Sequence, residues 1–433
     1  MDSMSFIDPS KYTNPWHEPG YSRQTNLFDR PRYTNKFADG SRLIKIVLGA
    51  RRVGKSSLLN WHIQTLLKTH KPKNVLLLSG DILDLQNKSI LDAVSEYCKA
   101  ADTMIDDMYI FIDEVQEVEH WQKDVKILYD TSNCSLIVTG SASSVIAQET
   151  SKLTGRHVVI NVYTLSFAEF CDFHTRSQTN KKQGANKSEI TRKNKEELFE
   201  KYIHIGGYPE FFSQQSINTY EYIKNAIESS LYRDLLNAYG IRNPAFLVDI
   251  MKVLADSLTN PISYTTIAKR VGLSEETTKL YVAYLLASQL IFVVHKKGKS
   301  HRITKSSNPK YYFNDLGVLQ YLGQESRLGH KMENLVFLQL LIDSEHSLSE
   351  HIFYDTLDSD NNEVDFSRND ELFEVKASVD TETALKIDTI FGDAQRHVML
   401  IAHNFLARPS STYVTPIDVL EWLLPDQDVK DLM

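Results

Sequence analysis

The chain has 433 residues, 42% hydrophobic and 24% charged, with 17 Gly and 12 Pro. That balance excludes collagen-like and wholly disordered chains and leaves length for several folded domains. Lys and Arg number 48 against 56 Asp and Glu, a net charge of -8, so any nucleic-acid site has to be a local patch. Cys98, Cys134 and Cys171 show no C-x-x-C spacing, which argues against a disulfide framework or zinc knuckle and for a reducing, cytoplasmic setting. No run approaches the roughly 18 apolar residues of a membrane span, and the acidic, proline-containing start does not read as a signal peptide.

Residues 1–40, rich in Pro, Asn, Arg and Tyr, lack both hydrophobic periods and read as an N-terminal arm with one short helix. From Leu43 the chain turns to short apolar runs at Leu43 to Leu48, Asn74 to Leu78, Tyr109 to Ile112, Ser135 to Val138 and Val158 to Val162. Such runs are the pattern of strands buried on both faces of a parallel sheet. Helical patterns at Lys55 to Lys68 and Ile90 to Ala101 alternate with them, giving a doubly wound α/β core over 41–175.

Residues 176–245 read as a polar insertion followed by a helical lid, broken at Gly206-Gly207-Tyr208-Pro209 because Gly-Gly and Pro end a helix. Residues 246–322 carry helix-turn-helix grammar: two helical stretches split by a turn holding Gly272, with Ser274 placed to cap the second and Glu275 and Glu276 in its first turn. A strand at Leu290 to Val294 then leads into a basic wing. Residues 323–433 read as a further α/β domain, with a helix at Met332 to Ile342 and strands near Ile352 to Tyr354, Glu363 to Phe366 and Leu372 to Lys376.

The strongest chemical signal is Gly49-Ala50-Arg51-Arg52-Val53-Gly54-Lys55-Ser56, followed by Ser57, which fits G-x-x-x-x-G-K-[ST] at a strand end and helix start. Loop amides and the helix N-terminus can cradle the phosphates of ATP, Lys55 adds a point charge and Ser56 can ligate Mg²⁺. The strand ending in Asp113-Glu114 supplies an acid for the Mg²⁺ shell and a second to orient an attacking water, which points to hydrolysis. Thr139 and Ser141, at another strand end, read either as γ-phosphate sensors or as turn residues. Arg156 reads either as an arginine finger, in cis or on a neighbouring copy, or as a surface ion pair.

These residues resemble the AAA-type P-loop ATPases of archaea and bacteria that carry a winged helix and a C-terminal nuclease-like domain. The resemblance runs through LGARRVGKSSLL, FIDEVQ, VTGSAS, LTGRHVVINVYTLSFAEF, GGYPE, the helix-turn-helix block, KYYFNDLG, and EVDF with FEVKAS. It implies an α/β multidomain chain: an AAA-type parallel sheet with a helical lid, a winged helix-turn-helix, and a restriction-endonuclease-like domain in that order. Two departures stand out: Thr164, where relatives commonly have proline, and Asp355, where many have arginine.

The nuclease-like set is Glu333, Asp365, Glu374 and Lys376, with eight residues between Asp365 and Glu374. Strand alternation puts residues 374 and 376 on one face, where two carboxylates can hold Mg²⁺ beside Lys376. Glu333 lies on an apolar helix face and needs a partner there, either a metal or Lys376. The competing reading is an ion-pair cluster in a fold retained for binding.

Double-stranded DNA is the expected partner of Thr277, Thr278 and Lys279 on the second helix and of Lys296, Lys297, Lys299 and Arg302 in the wing. A protein-protein role for the same module is the alternative. The whole reads as a Mg²⁺-dependent ATPase that controls DNA engagement, with cleavage or a binding switch as its two outcomes.

Overall fold

The computed structural model describes residues 14–18, 20–21, 27–85, 87–141, 150–179, 191–212, 218–235, 239–241, 243–298, 307–323, 327–344, 351–357 and 362–424. The chain divides into two compact units, Met1–Tyr163 and Thr164–Met433. No helix among the described residues is long and apolar enough to cross a membrane.

The first unit holds α1 (Pro31–Phe37), β1 (Ile44–Gly49), α2 (Lys55–Leu66), β2 (Val75–Ser79), α3 (Gly80–Leu85), α4 (Ile90–Ala101), β3 (Tyr109–Asp113), α5 (Trp121–Thr131), β4 (Ser135–Ser141) and β5 (His157–Asn161). Its five strands are all parallel, in the order β2-β3-β4-β1-β5. Alternation along the strands divides the core in two. Ile44, Ile46, Ile110, Ile112, Leu136 and Val138 pack against Val94, Trp121, Val125 and Leu128 of α4 and α5. Val47, Phe111 and Ile137 pack on the opposite face against Leu58, Leu59 and Ile63 of α2.

The arm belongs to that second layer: Trp16, Tyr33 and Phe37 lie in the same cluster as α2. Trp16 donates its indole N–H to Val75 O at 3.0 Å. Asn14 donates to Leu77 O at 2.8 Å and accepts from Leu77 N at 2.7 Å, so its amide occupies the hydrogen-bonding edge of β2 as a neighbouring strand would.

The second unit opens on α6 (Phe167–Thr179), so residues 164–175, placed with the core by the sequence pattern, lie on its side of the division. It continues through α7 (Arg192–Ile205), α8 (Thr219–Ser229), α9 (Ala245–Asp256), α10 (Tyr264–Val271), α11 (Glu275–Ala287), β6 (Ile291–Lys296), β7 (Lys310–Phe313), α12 (Gly317–Tyr321) and α13 (Leu328–Asp343). The remaining elements are β8 (Ile352–Leu357), β9 (Asn362–Arg368), β10 (Glu371–Val379), α14 (Thr381–Ala394), β11 (Val398–Phe405), β12 (Val414–Asp418) and α15 (Val419–Leu423).

The α10–α11 corner follows its sequence signals. Ser263 and Ser274 accept the amides of Thr266 and Thr277 at 3.0 and 3.1 Å, and Gly272 closes α10 at φ +77°. The β6–β7 hairpin, however, does not stand apart from the strands that follow. Through His295 opposite Phe353 and Lys296 opposite Tyr354, β6 joins β8, and one mixed sheet runs β12-β11-β10-β9-β8-β6-β7 across the expected division at 322/323.

Candidate active site

Parallel pairing gathers the carboxyl ends of β1, β3 and β4 at one sheet edge, with Gly49 in register with Ser141 and Ser79 with Asp113. The loop after β1 needs its glycines. A Cβ on Gly49 would lie 2.4 Å from Val162 O, and Gly54 has φ +98° as it caps α2. Lys55 is 6% exposed and donates to Gly49 O and Ala50 O, both at 3.0 Å, so the ammonium is held over its own loop. Arg52, at φ 63°, and Arg51 complete the turn beside buried Val53, while Ser56 and Ser57 begin the helix.

Asp113 accepts from the Thr139 hydroxyl. Burial raises its pKa, and the hydroxyls of Thr139 and Ser56 oppose that shift. Thr139 also accepts the Glu114 amide at 3.2 Å, and Gln116 donates to Glu114 Oε2 at 2.6 Å. Glu114 adopts φ 51°, and the start of α3 presses on it: a Cβ on Gly80 would lie 2.1 Å from Glu114 O. Gln116 closes the FIDEVQ motif without a role assigned to it there, and Gly80 is marked by no motif. Ser141 is 4% exposed, and its hydroxyl has no hydrogen-bond partner among the described residues. The donor set of Ser56 and Asp113 fits Mg²⁺, since both offer hard oxygens where the phosphate loop meets the end of β3.

Residues 41–171 match the family model described as AAA domain. The matched stretch holds the phosphate loop and all five parallel strands of the first unit, the arrangement of an AAA-type P-loop fold. A second model, described as a domain of unknown function (DUF8612), matches residues 196–329. The chain is 27% identical over 399 residues to an uncharacterized protein of Haemophilus influenzae, covering 88% of this chain and 94% of that one. It is 28% identical over 344 residues to an uncharacterized protein of Methanocaldococcus jannaschii, covering 77% and 74% of the two chains. Among solved structures it resembles the Walker-type ATPase PABY2304 of Pyrococcus abyssi, at a TM-score of 0.48 and 17% identity over 70% of this chain and 98% of that one.

Arg156 does not belong to the nucleotide site of the AAA domain. Its carbonyl accepts from Ile44 N at 2.9 Å, which fixes it beside the start of β1, about 16 Å from the phosphate loop at the strand's other end. Its guanidinium donates to Asp130 at 2.8 Å, and that bond lowers the Asp130 pKa. Arg156 therefore stands in a surface ion pair, away from the phosphate loop of its own chain.

In the second unit Glu333, Asp365, Glu374 and Lys376 do come together, with a partner that the motif did not contain. Lys310 of β7, its side chain 1% exposed, lies 2.7 Å from Glu363 and 3.4 Å from Glu333, and Tyr312 donates to Glu333 at 2.7 Å. The expected partners of Glu333, a metal or Lys376, are thus replaced by Lys310 and Tyr312. Asp365 accepts from Val375 N at 2.8 Å, and Glu374 is ion-paired to Lys376. Burial, then the Asp365 charge, pushes Glu333 up to about 8 and Glu374 up to about 7. Burial opposes the charge on both lysines, but their carboxylate neighbours outweigh it and raise both pKa values.

Among the described residues no group of three His, Cys, Asp or Glu side chains is placed to hold a metal ion. Two lysine ammonium groups occupy the carboxylates instead, so the arrangement does not fit the expected Mg²⁺ at Glu333, Asp365 and Glu374. Asp355 meets Arg396 at 3.3 Å, and Thr164 donates to Asn314 O at 3.1 Å.

The DNA-facing expectations divide. Thr278 is fully buried and donates to Ser274 O at 2.9 Å, which takes it out of reach of the expected DNA partner. Thr277 is half-buried, and Lys279 is exposed but paired to Glu275 at 2.7 Å. Lys296 lies on β6, and Lys297 reaches Ser367 at 3.0 Å and Asp370 at 3.3 Å. Lys299 and Arg302 lie outside the described residues.

Proposed function

We propose that the chain is a Mg²⁺-dependent ATP hydrolase whose second unit engages duplex DNA as an ATP-controlled binding body. The observation that carries the hydrolase reading is Thr139, which donates to Asp113 and accepts the Glu114 amide where the phosphate loop and the end of β3 converge. Loop amides and Lys55 hold the phosphates, releasing the ammonium from Gly49 O and Ala50 O to the β and γ oxygens. Mg²⁺, held through Ser56 and Asp113, supplies charge neutralisation on the phosphates. Glu114, kept in place by Gln116 and Thr139, orients water and takes its proton. Ser141 offers its hydroxyl at the same edge.

DNA engagement is supported by the capped helix-turn-helix and by Lys296 at the end of β6, where the chain leaves its pairing with β7. The second unit is read as a binding body rather than a cleavage centre because Lys310 and Lys376 already pair with Glu333, Glu363 and Glu374 of the acid cluster. The test is phosphate release with Mg²⁺-ATP, with and without linear duplex DNA, while the same DNA is run on a gel. DNA-stimulated hydrolysis with intact DNA is expected, weakening steeply with salt. Lys55→Ala should abolish nucleotide binding, and Glu114→Gln should keep binding and stop turnover. Cut product abolished by Asp365→Ala and Lys376→Ala would replace the binding-body reading with a nuclease.

A further inference from the structure

The arm residue Arg30 stands where three segments of the first unit meet. It is 3% exposed. One guanidinium nitrogen donates to Val53 O in the phosphate loop at 3.1 Å, and the other donates to Tyr163 O, also at 3.1 Å. The plane of the same group lies over the Tyr33 ring, 4.6 Å from its centroid. Tyr33 in turn accepts the Tyr163 amide at 3.2 Å, so the first turn of α1 grips both backbone groups of Tyr163. The residue before it is as closely engaged: Val162 N donates to Leu48 O at 2.7 Å, and Val162 O lies where a Cβ on Gly49 would fall.

Tyr163 is the last residue of the first unit, and the chain passes at Thr164 into the second. The phosphate loop and the covalent exit toward the second unit are therefore held by one buried side chain. A planar guanidinium can bridge two carbonyls at fixed separation, which a lysine ammonium on a flexible stem cannot reproduce.

We infer that Arg30 is a positioning residue that sets the phosphate loop for nucleotide and transmits nucleotide occupancy to the exit segment at Tyr163. The inference rests on the ATP reading of the loop. When phosphates draw the loop amides inward, Val53 O moves with them, and the rigid fork of Arg30 makes Tyr163 O follow. The same fork lets tension on the exit segment deform the loop, so the coupling runs in both directions.

The test uses the full chain as wild type, Arg30→Lys, Arg30→Ala and Tyr33→Phe. It reads the ATP-hydrolysis KM and kcat, thermal unfolding, and hydrogen exchange of the peptide spanning 160–166 with and without Mg²⁺-ATP. Wild type should slow exchange in that peptide when ATP binds. Arg30→Lys should raise KM about tenfold, as loss of a charged hydrogen bond implies, and lose most of the ATP-dependent change in exchange while still unfolding cooperatively, at a somewhat lower temperature. Tyr33→Phe should speed exchange at Tyr163 with little change in KM, since the aromatic face beneath Arg30 remains. Wild-type KM and wild-type ATP-dependent exchange in Arg30→Lys would overturn the inference even where Arg30→Ala fails to fold. A wild-type chain that binds no ATP would overturn the nucleotide reading and the inference together.

Discussion

Thr139 donates its hydroxyl to the Asp113 carboxylate and accepts the Glu114 amide, so one side chain on β4 sets the two acids that end β3. Its carboxylate partner is buried, and burial raises the Asp113 pKa, so this bond helps keep Asp113 ionised. Thr139→Val keeps the shape but removes both roles. Single-turnover hydrolysis should slow about 10- to 100-fold with nucleotide affinity changed less than threefold, whereas Thr139→Ser should retain most of the rate.

The GGYPE and FNDLG motifs, separated by about a hundred residues, meet at Asp315. Its carboxylate accepts from Gly207 N at 2.7 Å and from Gly317 N at 2.8 Å. Gly206 has φ +78°, and a Cβ on it would lie 1.7 Å from Asp315 Oδ1. Gly206→Ala should therefore lower stability by about 3 kcal/mol or more in urea unfolding, combining backbone strain with displacement of a buried acceptor. A loss below about 1 kcal/mol would show that the α7 exit turn relaxes freely.

Asp315 also predicts a pH dependence. Burial pushes it up to about 6, against a carboxylate near 3.9 in the unfolded chain. The folded state holds the proton more tightly, so Asp315's contribution to stability is complete below about pH 4 and is lost as pH rises through about 6. Asp315→Asn should flatten the fall in melting temperature between pH 4 and pH 7. An unchanged slope in the variant would assign that dependence to other groups.

What the sequence discloses here follows from what side-chain patterning encodes. The central strands β1, β3 and β4 are readable because burial on both faces makes each a short apolar run, the edge strands β2 and β5 because enough of that run persists where burial is only partial, and the phosphate loop because its backbone path demands glycine at fixed offsets. Arg30, Lys310 and Asp315 are not readable in the same way. Each is one polar residue whose partners lie elsewhere in the chain, Arg30 with Tyr163 and Lys310 with Glu333, and periodicity reports burial without naming a partner. Thr278 fails for a related reason. Which face of α11 is covered depends on how α9 and α10 pack, and the β-branched residue turns inward and bonds Ser274 O. The joining of β6 to β8 is likewise a pairing between distant strands, where no local signal marks the neighbour.

Lys310 and Glu333 form the most buried ion pair of the acid cluster, and their energetics separate an internal network from a metal site. Above about pH 8, where Glu333 is ionised, Lys310→Met leaves a buried carboxylate without its ammonium and should cost about 3 kcal/mol or more in urea unfolding, and less at neutral pH, where the carboxyl takes a proton instead. Glu333→Gln removes the charge but leaves an oxygen to accept from Tyr312, and should cost about 1 kcal/mol. The double variant Lys310→Met/Glu333→Gln should be more stable than the sum of the two losses by about 1 to 3 kcal/mol, because each single change strands a charge that the double change does not. Glu363, half open to solvent, can be hydrated when Lys310 is lost and so limits the single-variant cost. Strictly additive losses would mean that Lys310 and Glu333 do not neutralise one another. A large stabilisation of Lys310→Met by Mg²⁺ or Mn²⁺, absent from wild type, would mean that the lysine stands where a metal ion can.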